Sequence, residues 1–238
     1  MGLMLLENAV LPLLILNLRL PPSDLELLKS IHQQIQSQGK QIKGISGEIN
    51  KLKKDYQNLN KQLSKEISFK EGLKLVLAAE GGISNDAADK GGLTNLGITH
   101  GEYAKYLAQK GLSPRPVTKI SLLEAKDIYK HVYWLNSGCG LTPRRIAISC
   151  FDWQVNSGRG FATLQQVLGV ANDGIPGHKT FNELDYWLSK PGHEDRLLHN
   201  YFSLREEMYK RWGLGSQRVF LDGWLRRSRA LKEYLKVP

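Results

Sequence analysis

A seven-residue spacing of apolar side chains governs the segment from Pro22 to Glu66. One series recurs every seven residues: Leu28, Ile35, Ile42, Ile49, Tyr56 and Leu63. A second series follows the first by three residues: Ile31, Ile45, Leu52 and Leu59, with Gln38 in the remaining place. The positions between them are mostly Gln, Lys, Asn, Ser and Glu. The spacing predicts the a/d seam of a coiled coil over about six heptads.

The residue types in this seam predict an oligomer. Isoleucine dominates the first series and is mixed with leucine in the second, which suits two or three strands. We therefore expect a homodimer or homotrimer formed through residues 22–66. Gly39, Gly44 and Gly47 each weaken a helix by roughly 1 kcal/mol, so contacts between chains must stabilise it. The alternative is one long amphipathic helix that lies on the core of its own chain.

The first twenty residues are strongly apolar but interrupted. The interrupting residues are Glu7, Asn8, Pro12, Asn17 and Arg19. A membrane span needs about 20 predominantly apolar residues, and a signal peptide needs a basic start and a small-residue cleavage site that this segment lacks. We therefore predict that residues 1–21 form a docking segment that inserts into a partner protein or into the chain's own oligomer. Anchoring in a membrane is the alternative.

From Ile67 onward the composition is that of a globular protein. The chain is 41% hydrophobic and 24% charged, which excludes wholesale disorder and a membrane protein with many spans. Helical spacing of apolar residues occurs in 69–80, 122–135, 144–155, 160–168, 180–188 and 194–212. Alternating strand patterns are nearly absent, so we predict a mainly α fold. No Cys/His cluster has metal-ligand spacing, so we predict no metal or cofactor, and the pairing of Cys139 with Cys150 is open.

The charge of the chain indicates an anionic partner. There are 33 basic and 23 acidic residues, a net charge of +10. The stretch from Arg196 to Lys236 has 10 basic residues against 4 acidic ones. Nucleic acid, anionic lipid and bacterial cell wall all fit such an excess. The stretch lacks a recognisable nucleic-acid motif, so we favour the carboxylates and phosphates of a cell wall and predict no nucleic-acid partner.

Glu80 occupies a place where an apolar residue is expected. The stripe Phe69, Leu73, Val76 and Leu77 continues with this carboxylate, and two glycines directly after it end the helix. We expect partial burial and the negative end of the helix dipole to raise the pKa of Glu80. A general acid that works near neutral pH needs such surroundings. The alternative is a glutamate that pairs with a basic side chain.

A glycine-rich segment after Glu80 supplies a second carboxylate. Asp89 stands nine residues on, and Gly91, Gly92 and Thr94 follow it. The glycines predict a tight turn that folds Asp89 and Thr94 back toward Glu80. A protonated carboxyl opposite an ionised one, with a hydroxyl to hold water, suits glycosidic-bond cleavage. Asp86 is a rival for the second carboxylate, or else forms a turn.

The segment from Glu80 to Thr99 resembles a family signature. Its EGG, DKGG, TN and GIT stretches are similar to the EGG…DxGGxTxxGIT signature of glycoside hydrolase family 108, the peptidoglycan-cleaving N-acetylmuramidases of phages and bacteria. The resemblance implies that Glu80 is the catalytic acid and that Asp89 and Thr94 complete the catalytic set. The segment is also similar to the Glu-x8-Asp-x5-Thr pattern of phage-type lysozymes. Only four residues separate Asp89 from Thr94 here, which leaves the roles of these two residues open.

Further stretches resemble the same family in the same order. They are 129–134 (YKHVYW), 151–158 (FD and VNSG), 164–165 (LQ), 173–180 (DG, G and T) and the aromatic, arginine-rich end at 201–227. The resemblance covers residues 68–235. It implies a lysozyme-like helical catalytic domain at 68–148 and a peptidoglycan-binding-like domain at 149–238 that completes the cleft.

Four polar residues are candidates for binding substrate. Asp152 and Asn156 are spaced to share one helix face on a cleft wall, and Asp86 and Thr99 lie within the signature. The neighbouring aromatic and aliphatic residues Trp153, Phe161 and Leu164 are expected in the core.

These features together predict an enzyme on a stalk. We expect residues 68–238 to hydrolyse the β-1,4 bond between N-acetylmuramic acid and N-acetylglucosamine, and residues 22–67 to form the coiled-coil stalk. We favour carriage on a phage tail or contractile-injection particle, with residues 1–21 docked to a partner there. The alternatives are a free or membrane-tethered endolysin, in the host cytoplasm or inner membrane before lysis, and a non-catalytic cell-wall-binding assembly protein.

Overall fold

The structure, a computed structural model of the 238-residue chain, describes residues 21–79 and 93–238. Residues 1–20 of the predicted docking segment 1–21, and the acidic candidates Glu80, Asp86 and Asp89, therefore lie outside the described residues. The chain divides into two units, Met1–Lys61 and Gln62–Pro238. No helix of the described ranges is both long and apolar enough to cross a membrane.

Helix α1 spans Pro22–Ala79. Proline suits the first position of a helix because its missing N–H is not needed there, and Asp24 adds a favourable negative charge to the first turn. In the first unit, the two predicted apolar series are largely exposed on the single chain; Ile42 and Leu52, for example, are each 66% exposed. The helical state of residues 22–61 agrees with the heptad prediction, while association between chains stays a prediction.

The second unit is almost entirely helical, which confirms the predicted mainly α fold. Its described β structure is one antiparallel pair, β1 (Thr94–Asn95) and β2 (Ile98–Thr99), with Thr94 opposite Thr99. The later helices are α2 (His100–Gln109), α3 (Leu122–Ile128), α4 (Arg144–Ser157), α5 (Gly160–Leu168), α6 (His178–Leu188), α7 (His193–Trp212) and α8 (Arg218–Tyr234). A π-helix, Tyr129–Leu135, continues α3, and short 3-10 turns cover Val117–Lys119, Cys139–Leu141 and Gly215–Gln217.

Local sequence signals explain where several helices begin and end. Thr99 starts α2 by accepting a hydrogen bond from the N–H of Glu102, whose side chain accepts one in return from the N–H of Thr99. Ser121 and Glu124 form the same reciprocal pair at the start of α3. Helix α4 ends at Gly158, which adopts a left-handed conformation that glycine permits without strain.

The core of the second unit gathers around Phe151 of α4. The rings of Phe69 and Trp134 lie 6.0 and 5.3 Å from the ring of Phe151, measured between centroids. Their tilted and edge-to-face arrangements are those that aromatic rings prefer. A disulfide between Cys139 and Cys150, both inaccessible to solvent, ties the 3-10 turn before α4 to α4 itself. The pairing that the sequence left open is thus present in the structure.

Helix α4 spans the predicted boundary between the catalytic part and the peptidoglycan-binding-like part. The predicted boundary between residues 148 and 149 falls inside this helix, so the two predicted parts of the enzyme share a buried element. Trp153, Phe161 and Leu164 are all buried, as expected from the sequence. Trp153 Nε1–H donates a hydrogen bond to Thr163 Oγ1 at 2.9 Å and so fixes α5 against α4.

Candidate active site

A cleft of about 790 Å³ opens where α1, α4 and α8 meet in the second unit. Helix α1 contributes its last described turn, α4 contributes two polar residues and α8 contributes most of one wall. Its described lining residues are Leu75, Ala78, Ala79, Asp152, Asn156, Gly223, Trp224, Arg226, Arg227, Ala230, Leu231 and Tyr234. Ala79 is the residue directly before Glu80 in the sequence. The described wall of the cleft therefore ends one residue before the predicted catalytic acid in the sequence, and we take the cleft as the candidate active site.

A second cleft, of about 600 Å³, lies between α1 and α3. On α1 its described lining runs from Glu66 to Leu77 and stops there. Its walls carry lysines, such as Lys74 and Lys126, but neither of the predicted polar residues of α4. The first cleft is thus the one that combines the end of α1 with Asp152 and Asn156.

Asp152 lies at the base of the candidate site, between two guanidinium groups. Arg227 donates hydrogen bonds from Nε and Nη2 to Asp152 Oδ1 at 2.9 and 2.8 Å. Arg205 Nη2 lies 2.6 Å from Asp152 Oδ2, and the Arg205 side chain is fully buried. The predicted candidate Asp152 therefore forms the base of the cleft wall and holds Arg227 in position.

The protonation state of Asp152 follows from these neighbours. Burial would raise the pKa of the carboxyl, but the attraction of Arg205 and Arg227 outweighs it and lowers the pKa below the ordinary value. The carboxylate is consequently ionised at neutral pH. The wall at this point combines one negative charge with two positive ones.

Asn156 reaches the same network through a tyrosine. Tyr209 donates its hydroxyl hydrogen to Asn156 Oδ1 at 2.7 Å and accepts a hydrogen bond from Arg205 Nη2 at 3.1 Å. Burial is the largest cause of the raised pKa of Tyr209, so the hydroxyl keeps its proton and can donate. With its Oδ1 held in this way, Asn156 presents a fixed amide to the cleft.

Thr94 and Thr99 lie in the strand pair and are absent from the described lining of the cleft. The Thr99 hydroxyl donates to Glu102 Oε2 at 3.1 Å and accepts from the Glu102 N–H, so it caps α2. Tyr133 also donates its hydroxyl hydrogen to Glu102. The structure thus brings Asp152 and Asn156 together in the cleft and places Thr94 and Thr99 across from each other in the hairpin.

The α8 wall contains residues that sequence reasoning did not single out as site residues. Arg226, Arg227 and Trp224 line the cleft, whereas the sequence indicated a basic C-terminal stretch and a family resemblance at 201–227 without assigning these residues to the site. The signal was the excess of arginine after residue 196, but it did not say which arginines converge. Within the described ranges no group of His, Cys, Asp or Glu side chains has the arrangement of a metal site.

The second unit is mainly helical, and its cleft borders Ala79, the residue directly before the predicted acid Glu80. This arrangement is the one expected of a lysozyme-like hydrolase. Comparison with known families bears this out, because residues 73–158 match the family model described as Glycosyl hydrolase 108. Over this segment the chain is similar to glycoside hydrolase family 108, and the protein is accordingly a glycoside hydrolase of the lysozyme type.

The fold is also similar to that of a solved structure. The structure of Brucella abortus SagA superposes with a TM-score of 0.60 and 28% sequence identity, over 71% of this chain and 94% of that one. No curated protein matches the chain.

Proposed function

We propose that this protein hydrolyses peptidoglycan at the β-1,4 bond between N-acetylmuramic acid and N-acetylglucosamine. The observation that carries the proposal is the cleft lined by Ala79. Ala79 directly precedes Glu80 in the sequence, and both fall in the segment 73–158 that matches the glycoside hydrolase 108 model. The arginines of the α8 wall suit a substrate that carries carboxylates. The reaction requires carboxyl groups and water, and no cofactor.

The proposed roles follow the chemistry of glycosidic bonds. Glu80 donates its proton to the glycosidic oxygen, so that the leaving sugar departs as a neutral alcohol. Asp89 stabilises the positive charge that develops at the anomeric carbon or activates the attacking water, and Thr94 positions that water. A separation of about 5 Å between the two carboxyl groups leads to retention, and one of about 6.5–9.5 Å to inversion, of the anomeric configuration.

The test compares the wild-type chain with Glu80→Gln on purified peptidoglycan and counts new reducing ends. Loss of the general acid should lower the rate by about 100-fold or more. Glu48→Gln, the same change at an exposed position of α1, serves as the matched control and should retain full activity. Equal rates for wild type and Glu80→Gln would overturn the assignment of Glu80. An inactive wild-type chain that still binds peptidoglycan would favour the non-catalytic assembly protein instead.

We also propose that residues 149–238 bind peptidoglycan and complete the catalytic cleft. Support comes from the lining of the cleft, in which α8 supplies one wall and carries Arg226 and Arg227. A wall that is contributed by the C-terminal helices makes binding and catalysis parts of one surface.

For delivery, we propose an oligomer formed through residues 22–66 and carried on a phage tail or injection particle, with residues 1–21 docked to a partner there. The exposed apolar series on α1 supports the oligomer, because such a stripe is stabilised by burial against other copies. The protein would then act on the cell wall from the particle. Mass spectrometry of purified particles tests this, and recovery only in the host cytoplasm or inner membrane would favour a free or membrane-tethered endolysin.

A further inference from the structure

Two consecutive arginines of α8 line the cleft but differ in their surroundings. Arg227 is held by the buried carboxylate of Asp152 through two hydrogen bonds. Arg226 is exposed, and its Nε–H donates a 3.4 Å hydrogen bond to the carbonyl oxygen of Asp222. Within the described part of the chain Arg226 forms no ion pair. Arg226 thus lines the cleft, and no carboxylate of the described residues lies within ion-pairing distance of its guanidinium.

The carboxylate of Asp152 forms ion pairs with Arg205 and Arg227. Arg205 and Arg227 both lower the pKa of this carboxyl, so one negative charge faces two positive ones. Among the described lining residues, Asp152 is the carboxylate, and its ion pairs are with Arg205 and Arg227 rather than with Arg226. The result is a cleft wall that favours an anionic group on a bound molecule.

Helix α8, which carries Arg226, is fixed firmly to α7. The ring of Trp224 stacks on that of Tyr209, with centroids 5.4 Å apart and planes 19° from parallel. Ser228, fully buried, donates its hydroxyl hydrogen to Glu206 Oε1 at 3.0 Å. These contacts fix the backbone of α8, and with it the position from which Arg226 reaches into the cleft.

We propose that Arg226 binds a carboxylate of the muramyl side chain and thereby makes the enzyme prefer glycan that carries peptide stems. This inference rests on the proposed function. The sugar rings of the glycan carry hydroxyl and acetamido groups, whereas the stem peptides carry free carboxylates. The planar guanidinium donates two parallel hydrogen bonds to a carboxylate, which a lysine ammonium does not reproduce.

Arg229 provides a matched control on the same helix. It is exposed, and its Nε–H donates a 3.3 Å hydrogen bond to the carbonyl oxygen of Leu225. This repeats the local arrangement of Arg226, but Arg229 is absent from the described lining of the cleft. Arg226→Gln and Arg229→Gln therefore remove equal charge from equivalent surface positions, and only the first changes the cleft.

The experiment measures kcat/KM on three forms of one peptidoglycan. They are the intact polymer, the polymer with its free carboxylates converted to methylamides, and glycan whose stems an amidase has removed, which leaves the lactyl carboxylate. We expect Arg226→Gln to lower kcat/KM on the intact polymer by about tenfold and to be insensitive to amidation. Wild type and Arg229→Gln should lose about tenfold on amidation. A loss of wild-type activity on stem-free glycan supports the contact with the stem. Full activity there would overturn the preference for stems, because the lactyl carboxyl is tied up as an amide in the intact polymer.

A binding measurement separates this inference from the proposed function. Each arginine variant is combined with Glu80→Gln and co-sedimented with insoluble peptidoglycan, intact or amidated. The inference is supported if the Arg226 variant binds the intact polymer more weakly than the Arg229 variant does, while the two bind the amidated polymer equally. This result counts even where no variant releases reducing ends. Equal binding of the two arginine variants, or amidation that weakens the Arg226 variant as much as wild type, would overturn it. Arg226→Lys should restore only part of the preference.

Discussion

Arg205 Nη2 lies 2.6 Å from Asp152 Oδ2, with side-chain exposures of 0% and 4%. Arg227 contacts the other oxygen of the same carboxylate at 2.8 Å. One buried carboxylate therefore balances a fully buried guanidinium and also holds a guanidinium that lines the cleft. A buried charge that lacks a counter-ion pays the cost of lost hydration with nothing to offset it. The Asp152 contacts therefore link the stability of the second unit to the shape of its cleft.

Asp152→Asn should strongly destabilise the protein. The change keeps the size of the side chain but leaves Arg205 buried without a negative partner, at a cost of about 3–5 kcal/mol in the free energy of unfolding. Urea denaturation followed by tryptophan fluorescence measures this cost. Asp185→Asn, the same change at an exposed position of α6, should stay within about 0.5 kcal/mol of wild type. Coincident urea midpoints for Asp152→Asn and wild type would contradict the prediction.

The same carboxyl predicts how stability depends on acid. Its pKa is lower in the folded state than in the unfolded chain, so its contribution is complete above the unfolded value, about pH 4. That contribution is lost as the pH falls through the lowered folded value. Thermal unfolding of wild type and Asp152→Asn between pH 2 and 7 tests this as a difference. The difference in Tm between wild type and Asp152→Asn should be constant near neutral pH and should narrow below about pH 4. A difference that stays constant over the whole range would contradict the lowered folded-state pKa of Asp152.

The disulfide makes a separate prediction about stability. Cys139 and Cys150 are separated by 11 positions and both are buried in the core. A crosslink over so short a loop stabilises the folded state by about 3 kcal/mol through the entropy of the unfolded chain. We expect a phosphine reductant to lower the Tm of wild type, and the Cys139→Ala/Cys150→Ala variant to melt at the lower temperature with or without reductant. A wild-type Tm that does not change once mass spectrometry confirms reduction would contradict the prediction.

Sequence spacing did not predict two helices of the second unit. Periodicity found α4, α5 and α7, which bury several apolar residues each, and also α6, whose one buried apolar residue is Leu184. It missed α2, where Tyr103 and Leu107 are the buried residues, and α8, where Ser228 and Leu231 are. Helix α2 begins at the reciprocal Thr99–Glu102 pair, and α8 packs on α7 through Trp224 and Tyr209. Contacts of this kind leave little trace in the spacing of hydrophobic residues.

In the candidate site, too, the sequence predicted local relations between residues but not long-range contacts. The spacing of Asp152 and Asn156 was enough to place both on one face of a helix, because that relation is local. The contact between Asp152 and Arg227 joins residues 75 positions apart, and the basic composition of the C-terminal stretch could not indicate which arginine meets which carboxylate. Recognition of Arg226 as a cleft residue required the packing of α8 against α1 and α4.

The exposed seam of α1 predicts that the full chain sediments as a dimer or trimer. Ile42→Glu with Ile49→Glu places two charges in the seam, where burial would remove them from water, so this variant should sediment as a monomer. Asn50→Glu with Gln57→Glu adds the same charge at the same seven-residue spacing outside both apolar series, and it should keep the wild-type mass. Analytical ultracentrifugation at high micromolar concentration reports all three masses. A monomeric wild-type chain would refute the oligomer, and a seam variant that still associates would place the interface elsewhere in the molecule.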